Sequence, residues 1–226
     1  MQDTEANQPD SIEIETRPSP SHAVIWLHGL GADGNDFVPI VEQLALPNLG
    51  IRFVFPHAPM MPVTINGGFV MRAWYDILEA DLSTRTEDER GVRAAQERIE
   101  GLIQKEVARG IPSSRIVLAG FSQGGAIALQ SGLRYPERIA GLLALSTYLP
   151  LKQTLAKESS AANRQTPIFM AHGAMDNVVP LSMASTSRAF LEEAGYRIEW
   201  HEYPMMHNVC DAELVDISAW LTKVLL

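Results

Sequence analysis

Seven short apolar runs alternate along this chain with segments of helical periodicity, and this alternation constrains the fold more than any other feature. Most of the runs are continuous rather than alternating, which is typical of strands covered on both faces. Strands alternating with helices predict an α/β protein whose mostly parallel central sheet has about seven strands and helices on both faces. The predicted strands are Ile12–Glu15, Ala23–Leu27, Arg52–Phe55, Arg115–Ala119, Gly141–Leu145, Ile168–Ala171 and Arg197–Tyr203.

Helix signals fill the intervals between these runs. Thr86 and Glu89 have the spacing of a capping box that would open the first long helix. Further helices are predicted over residues 124–135, over 181–194 and from about residue 211 onward. The interval between the fifth and sixth strands is too short for a cap domain. We therefore expect a flexible tail over residues 1–10 and a single domain over 11–226.

Composition excludes several classes of partner. The chain has 226 residues, a formal net charge of −9 and no cluster of Lys or Arg, so neither nucleic acid nor anionic lipid is an expected partner. No apolar run is long enough for stable membrane insertion, and no leader sequence is visible. The single cysteine, Cys210, fits a reducing compartment, so a cytoplasmic location is expected. The oligomeric state cannot be predicted from the sequence.

The segment from Gly120 to Gly124 matches G-x-S-x-G and places Ser122 at its centre. It follows a predicted strand and precedes a helix rich in small residues, as a nucleophile elbow requires. There a serine sits on a strained turn beside the N-terminus of a helix, whose N–H groups face the reacting oxygen. The alternative is a buried glycine-rich turn without chemistry. The context favours Ser122 as a nucleophile.

A serine hydroxyl needs a base to take its proton, and the base needs a carboxylate to orient it. In the strand–elbow–helix arrangement the acid and then the histidine follow the serine. His201 lies within a predicted strand, whereas His207 lies in the loop before the last helix. Asp176 is the only aspartate between Ser122 and His207. His207 is the candidate base and Asp176 the candidate acid, although a loop histidine and a turn aspartate without catalytic roles are the alternatives.

His28-Gly29-Leu30-Gly31 follows the second predicted strand, where a loop supplying oxyanion donors would lie. The expected donors are the backbone N–H groups of Leu30 and Gln123. Residues 29–34 also match G-x-G-x-x-G, but no Asp or Glu follows at the end of the next strand, so a dinucleotide site is disfavoured. The chemistry expected from these groups requires no cofactor.

Four segments in order, HGLGADGNDF, GFSQGG, HGAMDNVVP and MMHNV…LVDISAWL, resemble the phospholipase/carboxylesterase family, which includes the acyl-protein thioesterases. The resemblance runs from about residue 12 to the C-terminus and implies an α/β-hydrolase fold. It implies a triad of Ser122, Asp176 and His207, with Leu30 and Gln123 at the oxyanion hole. It also implies hydrolysis of short or medium acyl esters, thioesters or lysophospholipids, with a lipid or an acylated protein as a possible source. Met206 and Asn208 replace the family's more usual Gly and Ser around His207.

These activities share one transition state, so the sequence does not separate carboxylesterase from thioesterase or lysophospholipase. A non-catalytic pocket that only binds a ligand is the remaining alternative, which an intact triad disfavours. Residues 56–76 form the longest irregular stretch predicted, and such loops are often functional. We hypothesise that five of its side chains line an acyl groove or touch a lipid surface, with packing against the sheet edge as the alternative: Met60, Met61, Val63, Phe69 and Trp74. No histidine spacing indicates a metal site.

Overall fold

The computed structural model describes residues 10–44, 46, 49–79 and 86–226. The predicted tail therefore lies outside the described residues, apart from residue 10. The strands are β1 (Ser11–Glu15), β2 (His22–Leu27), β3 (Ile51–Pro56), β4 (Met60–Val63), β5 (Phe69–Arg72), β6 (Ile116–Phe121), β7 (Gly141–Leu145), β8 (Ile168–Gly173) and β9 (Ile198–Tyr203). The helices are α1 (Ile40–Gln43), α2 (Glu89–Ala108), α3 (Gln123–Arg134), α4 (Leu155–Glu158), α5 (Leu181–Glu193) and α6 (Asp211–Leu225).

Seven of the strands form one sheet in the order β1-β3-β2-β6-β7-β8-β9. Only the pair of β1 and β3 is antiparallel, and every other pairing in this sheet is parallel. The prediction of a mostly parallel seven-stranded sheet is confirmed. The chain moves outward from β2 to β3 and then returns to place β6 on the other side of β2. This reversal leaves a crevice at the carboxyl ends of β2 and β6, which is where open α/β sheets bind their ligands.

Both faces of the sheet are covered, as the continuous apolar runs indicate. In β2 the side chains of Ile25 and Leu27 join one buried cluster, whereas Val24 and Trp26 join the other. Successive residues of a strand point to opposite faces, so a strand buried on both sides must be apolar throughout. Helices α2, α3 and α5 supply the first cluster, and α1 and α6 supply the second. Residues 146–167 hold only α4 and two 3₁₀ turns, so no cap domain occurs in this interval.

Two local predictions are wrong. Helix α2 begins at Glu89, and its N-cap is Asp88, whose Oδ1 accepts a hydrogen bond of 2.9 Å from Gly91 N–H. Thr86 instead donates to Glu79. Both Thr and Asp suit an N-cap, so the sequence pattern alone did not separate them.

The second error concerns residues 56–76, which contain an antiparallel hairpin of β4 and β5 rather than irregular structure. Pro62 argued against a strand at β4, and the turn signal of Asn66-Gly67 was not used.

Candidate active site

Ser122 lies between β6 and α3 in a backbone conformation that few side chains adopt, with φ of 54° and ψ of −122°. Residues other than glycine rarely have positive φ, and those that do are concentrated at functional sites. The turn is held by Ser122 N–H donating to Leu145 O over 2.8 Å and by Thr147 Oγ1 donating to Ser122 O over 2.6 Å. These bonds fix the serine at the N-terminus of α3, directly above the crevice between β2 and β6.

The glycines flanking Ser122 permit the close approach that this turn needs. A Cβ at Gly124 would lie 2.5 Å from the backbone oxygen of His28, and a Cβ at Gly120 would lie 2.6 Å from Gly125 N. Both neighbours are backbone atoms, which cannot rotate away as a side chain could. The G-x-S-x-G pattern therefore follows from the contact between α3, β2 and β6.

His207 and Asp176 complete a continuous chain of hydrogen bonds with the serine. His207 Nε2 lies 2.9 Å from Ser122 Oγ, and His207 Nδ1 lies 2.6 Å from Asp176 Oδ2. The Asp176 side chain is fully buried, whereas 15% of the His207 side chain remains exposed. The structure thus brings together three residues that are up to 85 positions apart in the sequence.

Asp176 is fixed by its own loop after β8. Its Oδ1 accepts hydrogen bonds of 2.9 Å from the backbone N–H groups of Val178 and Val179. His172 Nε2 lies 2.8 Å from Val179 O and 3.3 Å from Asp176 Oδ2. Burial lowers the pKa of His172 and keeps the ring neutral, so it stabilises the loop as a hydrogen-bond donor rather than as a cation. His201, by contrast, lies in β9 and stacks on Phe169.

The loop after β2 is held by the buried ring of His28. His28 Nε2 accepts from Ala58 N–H over 3.0 Å, and Nδ1 lies 2.7 Å from Gly29 O. Burial lowers the pKa of His28 to about 4, so at neutral pH one ring nitrogen donates while the other accepts. The loop places Gly29 close enough to the elbow that a Cβ there would lie 3.5 Å from Ser122 Cβ.

A cavity of about 380 Å³ opens over this cluster. Ser122 and His207 line it together with Leu30 and Gln123, the two residues predicted at the oxyanion hole. The rest of its wall is mostly apolar, and Asp36 is the one carboxylate among the described lining residues. The apolar part of the wall includes Ile65, Ile77, Phe121, Val178, Val179 and the rings of Tyr75 and Tyr148.

The five side chains hypothesised to line a groove do not line this cavity. Val63 and Trp74 are buried, with 0% and 3% of their surface exposed, so the groove prediction is corrected for both. Met60 and Phe69 are 48% and 69% exposed on the hairpin, and Met61 is half-buried between them. The lipid-surface form of the hypothesis stays a prediction for these three.

Sequence reasoning missed several lining residues, and a signal existed for some of them. Val178 and Val179 follow Asp176 directly, so the loop that carries the acid also carries apolar wall. Tyr148 follows the carboxyl end of β7, at the same edge of the sheet as Ser122. Ile65, Tyr75 and Ile77 enter through the hairpin segment, whose path the sequence did not show.

The described residues add neither a metal cluster nor a membrane-crossing helix to this site. No cluster of His, Cys, Asp and Glu there has the makings of a metal site. None of the described helices combines the length and apolar character that crossing a membrane requires.

Known proteins resemble this chain over most of its length. The family model for phospholipase/carboxylesterase matches residues 10–225. Acyl-protein thioesterase 1 of Neurospora crassa is 43% identical over 209 residues, covering 88% of this chain and 85% of the relative. A probable carboxylesterase of Oryza sativa subsp. japonica is 39% identical over 224 residues, covering 94% and 84%.

Among solved structures, Arabidopsis thaliana SOBER1 superposes with a TM-score of 0.86 at 33% identity, covering 91% of this chain and 99% of that one. The family match covers nearly the whole chain, the relatives are more than 30% identical, and the superposition is close. The chain belongs to the phospholipase/carboxylesterase family, and it is a serine hydrolase with the α/β-hydrolase fold.

Proposed function

We propose that the protein is a carboxylesterase that hydrolyses short- to medium-chain acyl esters through Ser122, His207 and Asp176. The observation that carries this proposal is the unbroken hydrogen-bond chain from Asp176 through His207 to Ser122 at the wall of an apolar cavity. A ligand-binding module would not require a serine held at positive φ against a histidine.

The first half of the proposed reaction transfers the acyl group to the enzyme. Ser122 Oγ attacks the carbonyl carbon while His207 Nε2 takes the hydroxyl proton. The backbone N–H groups of Leu30 and Gln123 stabilise the resulting oxyanion, and Asp176 stabilises the imidazolium. The bond to the leaving oxygen or sulfur then breaks, and His207 protonates the departing group. This leaves an acyl-Ser122 ester.

The second half repeats these steps with water. His207 takes a proton from water as the water oxygen attacks the acyl carbon. Collapse of the second tetrahedral intermediate breaks the bond to Ser122 Oγ, and His207 returns the proton to that oxygen. The free acid leaves and the enzyme is restored without any cofactor.

Thioester hydrolysis is the second candidate activity, and two observations favour it. The Neurospora crassa relative is named an acyl-protein thioesterase, and the interval after β7 holds no cap domain above Ser122. An acyl group attached to a protein surface could therefore reach the cavity. The reaction sequence is the same, with a thiol as the leaving group.

The test compares wild type with Ser122→Ala using a fluorophosphonate probe and p-nitrophenyl esters of increasing chain length. We expect the substitution to abolish labelling and to reduce turnover by roughly 10⁴-fold or more. Ser182→Ala removes an exposed serine on α5 and should label and turn over like wild type. An S-acyl peptide and an O-acyl ester with the same chain would rank the two activities. Failure of folded wild type to label would refute the proposal.

A further inference from the structure

The side chain of Gln123 is buried, and the proposed mechanism uses only the backbone N–H of this residue. Its Oε1 accepts a hydrogen bond of 2.8 Å from Trp74 N–H, and its Nε2 donates over 2.7 Å to Tyr75 O. Only 3% of the Gln123 surface is exposed. Both polar atoms of the Gln123 side chain are thus hydrogen-bonded to the segment that follows the β4–β5 hairpin.

The same segment after the hairpin, here called the hairpin exit (residues 73–75), is also hydrogen-bonded to the loop after β2. Trp74 Nε1 donates a hydrogen bond of 2.9 Å to His28 O, and the two rings lie 5.3 Å apart between centroids. His28 immediately precedes the loop that carries Leu30. Trp74 therefore bonds to the loop through its indole and to the elbow through its backbone N–H.

These bonds matter because the two expected oxyanion donors belong to different parts of the chain. The Leu30 N–H lies after β2 and the Gln123 N–H after β6, yet both must point at a single oxygen. Donors stabilise an oxyanion only when each lies about 2.7–3.1 Å from it. Apolar packing is not directional and does not set such distances, whereas a chain of buried hydrogen bonds does.

We propose that Trp74 and the side chain of Gln123 are positioning residues that set the spacing of the Leu30 and Gln123 N–H donors. This inference rests on the proposed function, since it concerns donors to an acyl oxyanion. It assigns Trp74 to the geometry of the transition state rather than to a groove for the acyl chain.

The test uses Trp74→Phe, which keeps an aromatic ring but removes the indole donor, and Gln123→Met, which keeps the length but removes both amide bonds. Removing one oxyanion donor outright typically costs about 10²–10³ in kcat, so displacing one should cost roughly tenfold to thirtyfold. We expect kcat to fall by this factor for every p-nitrophenyl ester chain length, with KM changed less than about twofold.

Inhibition by a trifluoromethyl ketone supplies a readout that a purely structural role would not move. Ser122 Oγ adds to the carbonyl carbon of the ketone, its proton passes to His207, and the carbonyl oxygen becomes an oxyanion between the donors. The Ki of the ketone should therefore rise by the same factor as kcat falls. The double variant should lose little more than either single variant, because both substitutions break one chain of bonds. As a control, Trp200→Phe removes an exposed indole bond to Glu202 within β9, a strand three positions from β6 in the sheet, and should leave kcat and Ki unchanged.

Three outcomes would overturn the inference while leaving the proposed function standing. They are a Trp74→Phe variant whose chain-length optimum shifts, kcat and Ki that stay at wild-type values in both variants, and a double variant whose losses simply multiply. If Trp74→Phe does not fold, Gln123→Met carries the same expectation. Failure of the proposed function is recognised separately. Wild type would then not be labelled by the fluorophosphonate, and Ser122→Ala would turn over substrate as fast as wild type. In that case both proposals would be refuted.

Discussion

Substituting Gly124 by alanine tests whether the contact between α3 and β2 sets the geometry of the elbow. The added Cβ would lie 2.5 Å from His28 O, about 0.9 Å inside an ordinary contact of 3.4 Å. Leu27 O at the end of β2 obstructs the Cβ as well as His28 O at the start of the oxyanion loop, so relief requires either α3 or this stretch of backbone to move. Either movement separates the expected donors from Ser122 Oγ.

The magnitudes follow from that displacement. Overpacking of this kind costs about 1–3 kcal/mol, which corresponds to a fall in Tm of roughly 3–10 °C for a chain of this size. A misplacement near 1 Å at a catalytic centre costs about 10²-fold in rate. We therefore expect Gly124→Ala to fold with a reduced Tm and to lose about 10²-fold in kcat on a p-nitrophenyl ester.

Gly101→Ala is the matched control, because a Cβ at that position in α2 would have no neighbour within 4 Å. It should stabilise the protein by about 0.5–1 kcal/mol without altering kcat, since alanine is the better helix former. Thermal unfolding and steady-state kinetics on both variants provide the assay. A Gly124→Ala variant with wild-type Tm and kcat would refute the reasoning.

Two further predictions concern carboxyl groups. Glu213 is fully buried, and burial raises the pKa of its carboxyl to about 8 from an ordinary value of 4.5. The folded state therefore holds a proton that the unfolded chain releases, so the free energy of unfolding should fall as pH rises from about 5 to 8. Tm measured against pH should fall less steeply in Glu213→Gln than in wild type, and parallel curves would contradict this. Asp36 lines the cavity, and its negative charge should repel an anionic substrate. Asp36→Asn should therefore raise kcat/KM for a 4-acyloxybenzenesulfonate about threefold relative to kcat/KM for the neutral p-nitrophenyl ester, since solvent screens the repulsion. Glu42→Gln removes the same charge away from the cavity and should leave this ratio unchanged, and an equal change in both variants would refute a local effect.

Much of the sheet was predictable because a strand that is buried on both faces has a mark in the sequence, a continuous run of apolar residues. Gly141–Leu145 has the predicted bounds, and each of the other six strands differs from prediction by one or two residues at one or both ends. The β4–β5 hairpin left no such mark, since it lies outside the main sheet and exposes Met60 and Phe69. Its strands lack the alternation of polar and apolar residues by which a half-buried strand is usually recognised, although Asn66-Gly67 between them is typical of a hairpin turn.

The sequence by itself determined the seven strands of the main sheet and the four long helices, the elbow around Ser122 and the identity of the acid and base candidates. Each of these depends on short-range patterning, such as an apolar run, two glycines around a serine or a histidine in a loop. Tertiary structure decided the substrate cavity and the place of Trp74, whose apolar character suits a groove and a buried support equally well. Its role depends on bonds to His28 and Gln123, residues 46 and 49 positions away. Such contacts form only when the hairpin exit packs against the crevice between β2 and β6, and side-chain type alone does not specify that packing.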